Sequence, residues 1–476
     1  MMKKGVTQFL LSHAEKNPVS FHMPGHKGSA IYRENGYGDF LDHFVDCDIT
    51  EIPGADNLYQ AEEIIADTMA KYRSLYGVRE SYLLINGSSA GLVASILTCV
   101  PRGGKLIMAR NCHKSIFNGL LMAGAEPVYL HPEMIDDYGI SGEISVASVV
   151  AAIKENPDAS AVILPSPNYY GICSDIKAIA EAVHEAGMVL IVDQAHGAHL
   201  HFFGSHLGEA YKSADDLGAD IVIQSTHKTL ASFTQSAIVN LCTDRVDKYL
   251  FEDKLQLIES TSPSYLLMAS LDINGDLLEK QGGKLIAEWE ENLKWFYETA
   301  PKVVEGLRLM SHPMLDHTKI NLDMSAYGID GLELEDMLNE KAIFPELVTG
   351  NIVMCMTGIG NKRCDYERLL EALKEIAEER GLCEENDGIT APEATQAVTM
   401  KRLRQTAIPT AKESVPMEEA AGRVCAASII PYPPGIPIIC PGEIIDQEVL
   451  DYCADLRARG EKVMGIDERG RVLVGR

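Results

Sequence analysis

The chain has 476 residues, and its 42 lysines and arginines against 69 aspartates and glutamates give a formal charge of −27 with neutral histidines. At about 150 residues per domain, this length predicts about three structural units with a sizeable core. The negative surface repels phosphate backbones and anionic lipid, and no basic patch offsets it, so we expect neither nucleic-acid nor membrane partners. A cationic substrate is compatible with this charge, although plain solubility is the favoured explanation.

The cysteines indicate a reducing compartment. There are 11 of them, scattered along the chain without a CxxC pair, which predicts neither a disulfide framework nor a zinc site. The sequence also contains no secretory signal and no run of 18 apolar residues. We therefore expect a cytoplasmic protein without a metal centre.

From about residue 60 to residue 245, helical periodicity alternates with short apolar runs that are typical of strands. This pattern predicts an α/β fold with a mainly parallel central sheet and helices on both faces. The first helix is predicted over residues 61–76 with Gly77 as its C-cap, and Asp175 is predicted to cap a helix that ends at Gly187. Strands are predicted at residues 82–85, 106–109, 127–130, 161–164, 188–192, 220–223 and 237–241.

The pattern changes after about residue 275. A long amphipathic helix is predicted over residues 283–309, and strands at 320–322 and 352–356 and helices near 331–340 and 365–380 follow it. The expected borders are 1–60 for an N-terminal segment, 61–275 for the large domain, 276–383 for a small α+β domain, 384–392 for an exposed linker and 393–476 for a C-terminal α+β domain.

Two charged residues follow neighbouring predicted strands. Lys228 ends the motif STHK at residues 225–228, directly after the strand at 220–223, where open α/β sheets place their ligands. Asp193 follows the apolar strand at 188–192, and a buried carboxylate there needs a positive partner, such as a protonated pyridine nitrogen. Alone, Lys228 would be interpreted as a solvated loop residue.

Two further motifs change that interpretation. Residues 86–91 (NGSSAG) join a strand to a helix, and their small size lets backbone N–H groups approach an anion such as phosphate at the helix N-terminus. His113 follows another strand, and its imidazole can lie over a flat ring. A tight turn and a structural histidine explain each motif alone. Together with Lys228 and Asp193, they match pyridoxal 5′-phosphate, which is held by a lysine and by an acidic partner of its ring nitrogen.

At these residues the sequence resembles the Orn/Lys/Arg decarboxylases, which are fold type I pyridoxal-phosphate enzymes, over nearly the whole chain. The resemblance implies decarboxylation of arginine, lysine or ornithine to the amine and CO₂, an N-terminal segment that contributes to the active site, and a homodimer or higher homo-oligomer with shared active sites. It rests on residues 21–27 (FHMPGHK), 86–91, 113–115 (HKS), 193–197 (DQAHG), 225–228 with 235–236, 261–265 (TSPSY), and 432–437 (YPPGIP) with 441–443 (PGE).

The resemblance also assigns roles to individual residues. Lys228 would bind the aldehyde carbon of the coenzyme, Asp193 would pair with its ring nitrogen, and His113 would stack on its ring. His196 would lie near the substrate-facing side of the ring, and His227 or Lys228 would protonate the substrate carbon. The phosphate would be held by Gly87, Ser88, Ser89, the Ala90 amide, Ser225 and His227, and Thr261 and Ser262 would reach the partner subunit's cofactor.

The sequence departs from the family in several places. Ala90 stands where relatives often have Thr, Asn168 stands where Thr is expected, and Gln194 replaces an acidic residue. The response-regulator-like N-terminal domain of longer members is not found, so we expect a dimer rather than a large ring.

Substrate choice is less evident from the sequence. The distal cation of a basic amino acid needs a carboxylate, and we hypothesise that Glu51 or Glu443 supplies it, although each is equally well interpreted as a surface acid. An aminotransferase or another amino-acid lyase on the same fold, and a non-catalytic homologue, are the alternatives. Aminotransferases commonly clamp the α-carboxylate with an arginine, and the sequence around Arg363 and Arg368 has no recognisable clamp motif.

Overall fold

The structure is a computed structural model that describes residues 5–203, 212–383, 403, 406–432, 437–458 and 462–476. The predicted linker at 384–392 and residues 433–436 of the proline-rich motif lie outside this part of the chain. Among the described helices, none combines the length and the apolar composition that a membrane crossing requires.

The N-terminal segment consists of short elements, and its strand pairs in parallel with residues 343–345 much later in the chain. Its first helix buries none of its residues. The elements are α1 (Val6–Ala14), β1 (Val19–Phe21), α2 (Ala30–Glu34) and α3 (Gly38–Asp42).

The large domain is built on a seven-stranded sheet that confirms the predicted α/β class. Six of its strands run in the same direction, and β10 runs opposite to them, pairing antiparallel with both β2 and β9. All seven strand predictions are confirmed to within two residues at each end. In spatial order, the strands are β2 (Glu80–Leu84), β10 (Ala237–Leu241), β9 (Ile221–Gln224), β8 (Val189–Asp193), β7 (Ala159–Pro165), β3 (Lys105–Ala109) and β4 (Glu126–Leu130).

Helices cover both faces of this sheet, and the central strands are almost fully buried. A short antiparallel hairpin, β5 (Met134–Ile135) with β6 (Ile140–Ser141), follows β4 in the chain. The helices are α4 (Ile64–Tyr76), α5 (Gly87–Cys99), α6 (Lys114–Ala123), α7 (Val146–Glu155), α8 (Ile176–Glu185), α9 (Leu200–Phe203), α10 (Thr226–Thr229) and α11 (Lys248–Ile258).

The predicted caps of these helices have clear local causes. Gly77 ends α4 in the left-handed conformation (φ 64°), and the Asp175 carboxylate accepts the Ala178 N–H at 3.1 Å to begin α8. Helix α4 begins three residues later than predicted, at Ile64. The reason is Asp56, whose carboxylate accepts the N–H groups of residues 62, 63 and 65 and so caps the helix from outside.

The small domain follows one long helix and packs a four-stranded antiparallel sheet against helices. The sheet has the order β11-β12-β15-β14, and β13 pairs with β1. The elements are α12 (Tyr265–Val303), β11 (Arg308–Leu309), β12 (Lys319–Asp323), α13 (Gly331–Glu340), β13 (Ile343–Pro345), β14 (Leu347–Thr349), β15 (Ile352–Met356) and α14 (Arg363–Arg380).

The prediction for the long helix was wrong at both ends, because α12 begins 18 residues before residue 283 and ends at Val303. The Ser264 hydroxyl accepts the Leu267 N–H and caps it. Gly275 lies where α12 meets α4, and a Cβ there would come within 2.8 Å of the Lys71 side chain. The predicted border at residue 275 therefore falls inside one continuous helix.

The described residues of the C-terminal domain include a separate small core of 14 buried apolar side chains. Two antiparallel strand pairs, β16 with β19 and β17 with β18, pack with one helix. The elements are β16 (Lys412–Pro416), β17 (Ile430–Tyr432), α15 (Gln447–Ala458), β18 (Lys462–Met464) and β19 (Arg471–Gly475).

Candidate active site

A cleft lies at the carboxyl ends of β7 and β8 and beside the turn after β9. Because β8 lies between β7 and β9 in the sheet, residues that follow these strands come together at one edge. The cleft brings together five residues that the sequence singled out for a coenzyme, Lys228, Asp193, His113, His196 and Ser88. Its lining is Ser88, His113, Pro165, Pro167, Asn168, Tyr169, Asp193, Ala195, His196 and Lys228.

Lys228 lies on α10, the short helical turn after β9, and its Nζ is 2.9 Å from Nε2 of His196. Burial lowers the pKa of the Lys228 amine, and the nearby Asp193 carboxylate opposes that shift. A lysine with a lowered pKa spends more time as the neutral amine, which is the form that attacks an aldehyde.

Asp193 ends β8 and is 6% exposed. One of its oxygens accepts the Ala195 N–H at 3.2 Å. Burial raises the pKa of this carboxyl group, and the charge of Lys228 opposes the shift. A protonated ring nitrogen would supply the positive partner that this buried acid needs, so the residue fits the coenzyme.

Three rings line the cleft. His113 caps α6 and its Nδ1 accepts the Ser115 N–H at 3.3 Å. Burial, together with the charges of Lys228 and Lys114, lowers the pKa of His113 to about 3, so the imidazole is neutral and suited to stacking on a flat ring. The ring centroids of Tyr169 and His196 lie 4.9 Å apart.

The predicted phosphate site lies at the N-terminus of α5. Gly87 begins this 13-residue helix with a positive φ of 75°. Ser225 donates a hydrogen bond to the Ser88 hydroxyl at 3.0 Å, which joins the helix N-terminus to the turn that carries Lys228. Ser89 is exposed and Ala90 is buried. Free N–H groups, hydroxyls and the helix dipole together fit a phosphate group.

The structure does not bring His227 to the lining of the cleft. Its Nδ1 donates to the Ser236 carbonyl at 2.7 Å, and burial lowers the pKa of the imidazole to about 4. The neutral ring therefore offers only an acceptor at Nε2, and holding a phosphate would require a second proton. Thr261 and Ser262 are exposed, precede α12, and do not line the cleft of their own subunit.

The two proposed acids for the substrate cation have different surroundings. Glu51 is partly exposed, accepts the Thr50 hydroxyl at 2.5 Å, and does not line the cleft. Glu443 is 2% exposed and pairs with Arg110 through both of its oxygens, at 3.0 and 2.9 Å. Since the Cys440 N–H also donates to it, the Glu443 carboxylate is fully used inside the protein and is not placed to bind a substrate.

The N-terminal loop of residues 22–27 lies against the turn of Lys228. Gly25 donates its N–H to the His227 carbonyl at 2.7 Å, and its own carbonyl accepts the Gly360 N–H at 3.0 Å. A Cβ on Gly25 would lie 2.4 Å from the Leu230 carbonyl oxygen, so this close approach requires glycine. The FHMPGHK motif thus serves to pack the backbone around the lysine turn.

Sequence reasoning missed Tyr169, which lines the cleft beside His196. Its segment attracted notice only for Asn168, whose amide instead donates to the carbonyls of residues 141 and 142. The available signal was position, because Tyr169 follows β7 at the same sheet edge as Asp193.

A partly buried lysine after one central strand, an aspartate at the end of the next, a neutral imidazole and a helix N-terminus suited to phosphate are typical of a pyridoxal-phosphate enzyme of fold type I. The comparisons with known proteins narrow this class. Residues 5–303 match the family model of the Orn/Lys/Arg decarboxylase major domain, and residues 386–469 match that of the C-terminal domain.

Similar proteins cover nearly the whole chain. The arginine decarboxylase of Bacillus subtilis is 33% identical over 475 residues, covering 96% of this chain and 94% of that protein. The arginine decarboxylase of Halalkalibacterium halodurans is 32% identical over 473 residues, with coverage of 96% and 94%. The structure of the Escherichia coli constitutive lysine decarboxylase aligns with a TM-score of 0.75 at 21% identity, covering 99% of this chain and 81% of that one.

The chain belongs to the Orn/Lys/Arg decarboxylase family. It is a decarboxylase of basic amino acids that depends on pyridoxal phosphate, as the sequence motifs predict.

Proposed function

We propose that this enzyme converts L-arginine to its decarboxylated amine and CO₂, with lysine and ornithine as the other members of the substrate class. The observation that carries the catalytic part is the grouping of Lys228, His196 and Asp193 in one buried cleft. The choice of arginine is supported by the names of the two relatives that are 33% and 32% identical over 96% of the chain.

Each residue of the cleft has a separate role in the proposed reaction. Pyridoxal phosphate, when bound, supplies an acceptor for the electron pair left behind as CO₂ departs. Asp193 holds a proton on the coenzyme's ring nitrogen through a charge-assisted hydrogen bond in a site with little water. His113 orients the ring by stacking, and the amides and hydroxyls at the start of α5 hold the phosphate.

The proton steps fall to Lys228. Its lowered pKa favours a neutral amine, which can accept a proton from the substrate amine and later return one to the substrate α-carbon. His196 Nε2, at 2.9 Å, orients Lys228 Nζ, and burial keeps the pKa of His196 well below its usual value, so the imidazole is neutral. His196 therefore holds the amine without competing for its proton.

We also propose a homodimer in which one subunit completes the other's cleft. The Tyr265 hydroxyl donates to the Asp56 carbonyl at 2.8 Å, which joins the segment that carries Thr261 and Ser262 to the loop that carries Glu51. The hypothesised substrate-binding acid and the two residues expected to reach the partner's cofactor therefore lie on neighbouring segments. Exposed apolar side chains occur in the same part of the chain: Phe44, Val45, Ile49 and Ile52.

We also propose a cytoplasmic location. All of the cysteines are free thiols, which supports a reducing compartment.

The direct test uses purified enzyme loaded with the coenzyme. We expect an absorption band near ~420 nm from coenzyme attached to Lys228, and CO₂ release that is fastest with arginine when arginine, lysine and ornithine are assayed separately. CO₂ release that is fastest with lysine or ornithine would overturn the choice of arginine. A band without CO₂ from any of the three would overturn decarboxylation of these substrates, and a keto-acid product would indicate transamination instead.

A further inference from the structure

A cluster of fully buried polar side chains lies where the small domain meets the lysine turn. Lys319, the first residue of β12, is 0% exposed, as are Asp316 and His199. Thr318 and Thr229 complete the cluster at 1% and 0% exposure. Buried charges are costly and need complete hydrogen bonding, so such a cluster calls for a functional explanation.

Lys319 uses all three of its ammonium protons. Its Nζ donates to Asp316 Oδ2 at 2.6 Å, to the backbone carbonyl of His196 at 2.5 Å and to the Thr318 hydroxyl at 3.1 Å. His196 is the residue whose ring lies against Lys228 Nζ. The small domain therefore holds the backbone of this histidine through a charged group.

A second connection runs through His199. Burial lowers the pKa of His199, so its imidazole is neutral. Its Nε2 donates to Asp316 Oδ2 at 3.1 Å, and its Nδ1 accepts from the Thr229 hydroxyl at 3.1 Å. Thr229 directly follows Lys228 in the chain, so the cluster reaches the catalytic lysine from its backbone side as well.

We propose that the Asp316–Lys319 ion pair is a positioning device that holds Lys228 and His196 in their reactive arrangement from the small domain. Neither Asp316 nor Lys319 lines the cleft. Lys319 holds the His196 carbonyl, and Asp316 is connected to Thr229 through the His199 imidazole. The inference rests on the proposed function, because it assigns a role around the same lysine.

Charge adds to this geometric role. Lys319 lies close enough to Lys228 and His196 for its positive charge to lower the pKa of both, in addition to the larger effect of burial. Removal of the charge should raise the pKa of Lys228 and loosen its contact with His196. A merely structural ion pair would change stability without loosening this contact, and kcat would stay unchanged.

The test compares Lys319→Met with Lys341→Met. Both variants remove an ion-paired ammonium from the small domain, but Lys341 pairs with Glu375 at the surface. The first measurement follows attachment of pyridoxal phosphate to the apoprotein as a function of pH, because its midpoint reports the pKa of Lys228 without any substrate. Steady-state assays then give kcat and KM separately, and thermal unfolding of each apoprotein reports stability.

For Lys319→Met we expect a higher pH midpoint for coenzyme attachment and a fall in kcat of about tenfold or more with KM within about threefold, as for a misplaced reactive group. Lys341→Met should match the parent protein in all three values. A midpoint and a kcat for Lys319→Met equal to those of the control, or a lower kcat without a change in midpoint, would overturn the proposal.

If Lys319→Met does not fold, Thr229→Val decides the question. This substitution keeps the shape of the side chain and removes only the hydrogen bond from Thr229 to His199. We expect a smaller change in kcat, again with KM unchanged, and a kcat equal to that of the parent protein would overturn the proposal. An enzyme that binds the coenzyme with the expected pH dependence but decarboxylates none of the three amino acids would contradict the proposed function alone.

Discussion

Replacement of Glu443 by alanine would leave the Arg110 guanidinium buried without its carboxylate. The two side chains are each 2% exposed and join β3 of the large domain to the C-terminal domain. In this variant Arg110 still donates to the carbonyls of Pro437 and Ile438, at 2.6 and 3.1 Å, so it cannot turn to solvent without losing these two hydrogen bonds as well. Removal of one partner of such a pair costs about 3–5 kcal/mol.

That magnitude predicts a specific change in hydrogen exchange. The Cys425 N–H donates to the backbone carbonyl of residue 443 at 2.7 Å, and this bond survives the substitution. We expect its exchange to accelerate by roughly 10²–10⁴-fold in Glu443→Ala, since each 1.4 kcal/mol is tenfold. The matched control is Glu413→Ala, whose partner Arg423 is 36% exposed, so water can replace the lost contact and exchange should change far less.

The same ion pair also bears on activity. Arg110 is three residues before His113, so a loosened Arg110 should misplace the stacking imidazole and lower kcat. Acceleration in Glu443→Ala no greater than in Glu413→Ala would refute this reasoning. A raised KM for arginine at unchanged exchange would return Glu443 to the substrate-binding role first hypothesised for it. In Arg110→Met/Glu443→Leu, both charges are gone, and we expect much of the lost stability to be recovered.

Three further predictions follow from the cleft and its surroundings. Asp193→Ala should lower kcat by orders of magnitude because the ring nitrogen loses its partner, and near-normal decarboxylation in the same assay would contradict that role. Burial raises the pKa of Glu259 to about 7, so the stability linked to its protonation is complete below about pH 4.5 and lost as pH rises through 7. The free energy of unfolding in urea should therefore be about 1–3 kcal/mol higher for the Glu259→Gln apoprotein than for the parent apoprotein at pH 8. At pH 4.5 the two values should be nearly equal. A difference that does not change with pH would refute this prediction. Glu51→Gln should raise the KM for arginine with kcat within about twofold, whereas the exposed Glu62→Gln should change neither, and equal KM values would remove Glu51 from substrate binding.

The sequence by itself determined the class of fold and predicted which residues meet in the cleft. Strands buried on both faces require continuous apolar runs, and these runs located all seven strands of the main sheet. Lys228 and Asp193 follow adjacent strands, so their meeting at one sheet edge also followed from chain order. These inferences succeeded because periodicity and strand ends are local properties of a chain.

Only the tertiary structure decided the roles of residues whose partners are distant in the chain. Glu443, expected at the substrate, pairs with Arg110 across 333 residues of sequence. The Nζ of Lys319, which no motif singled out, binds a carbonyl 123 residues away. A charged side chain looks the same in a sequence whether it faces solvent or a buried partner, because its burial and its pairing are set by the packing of separate domains.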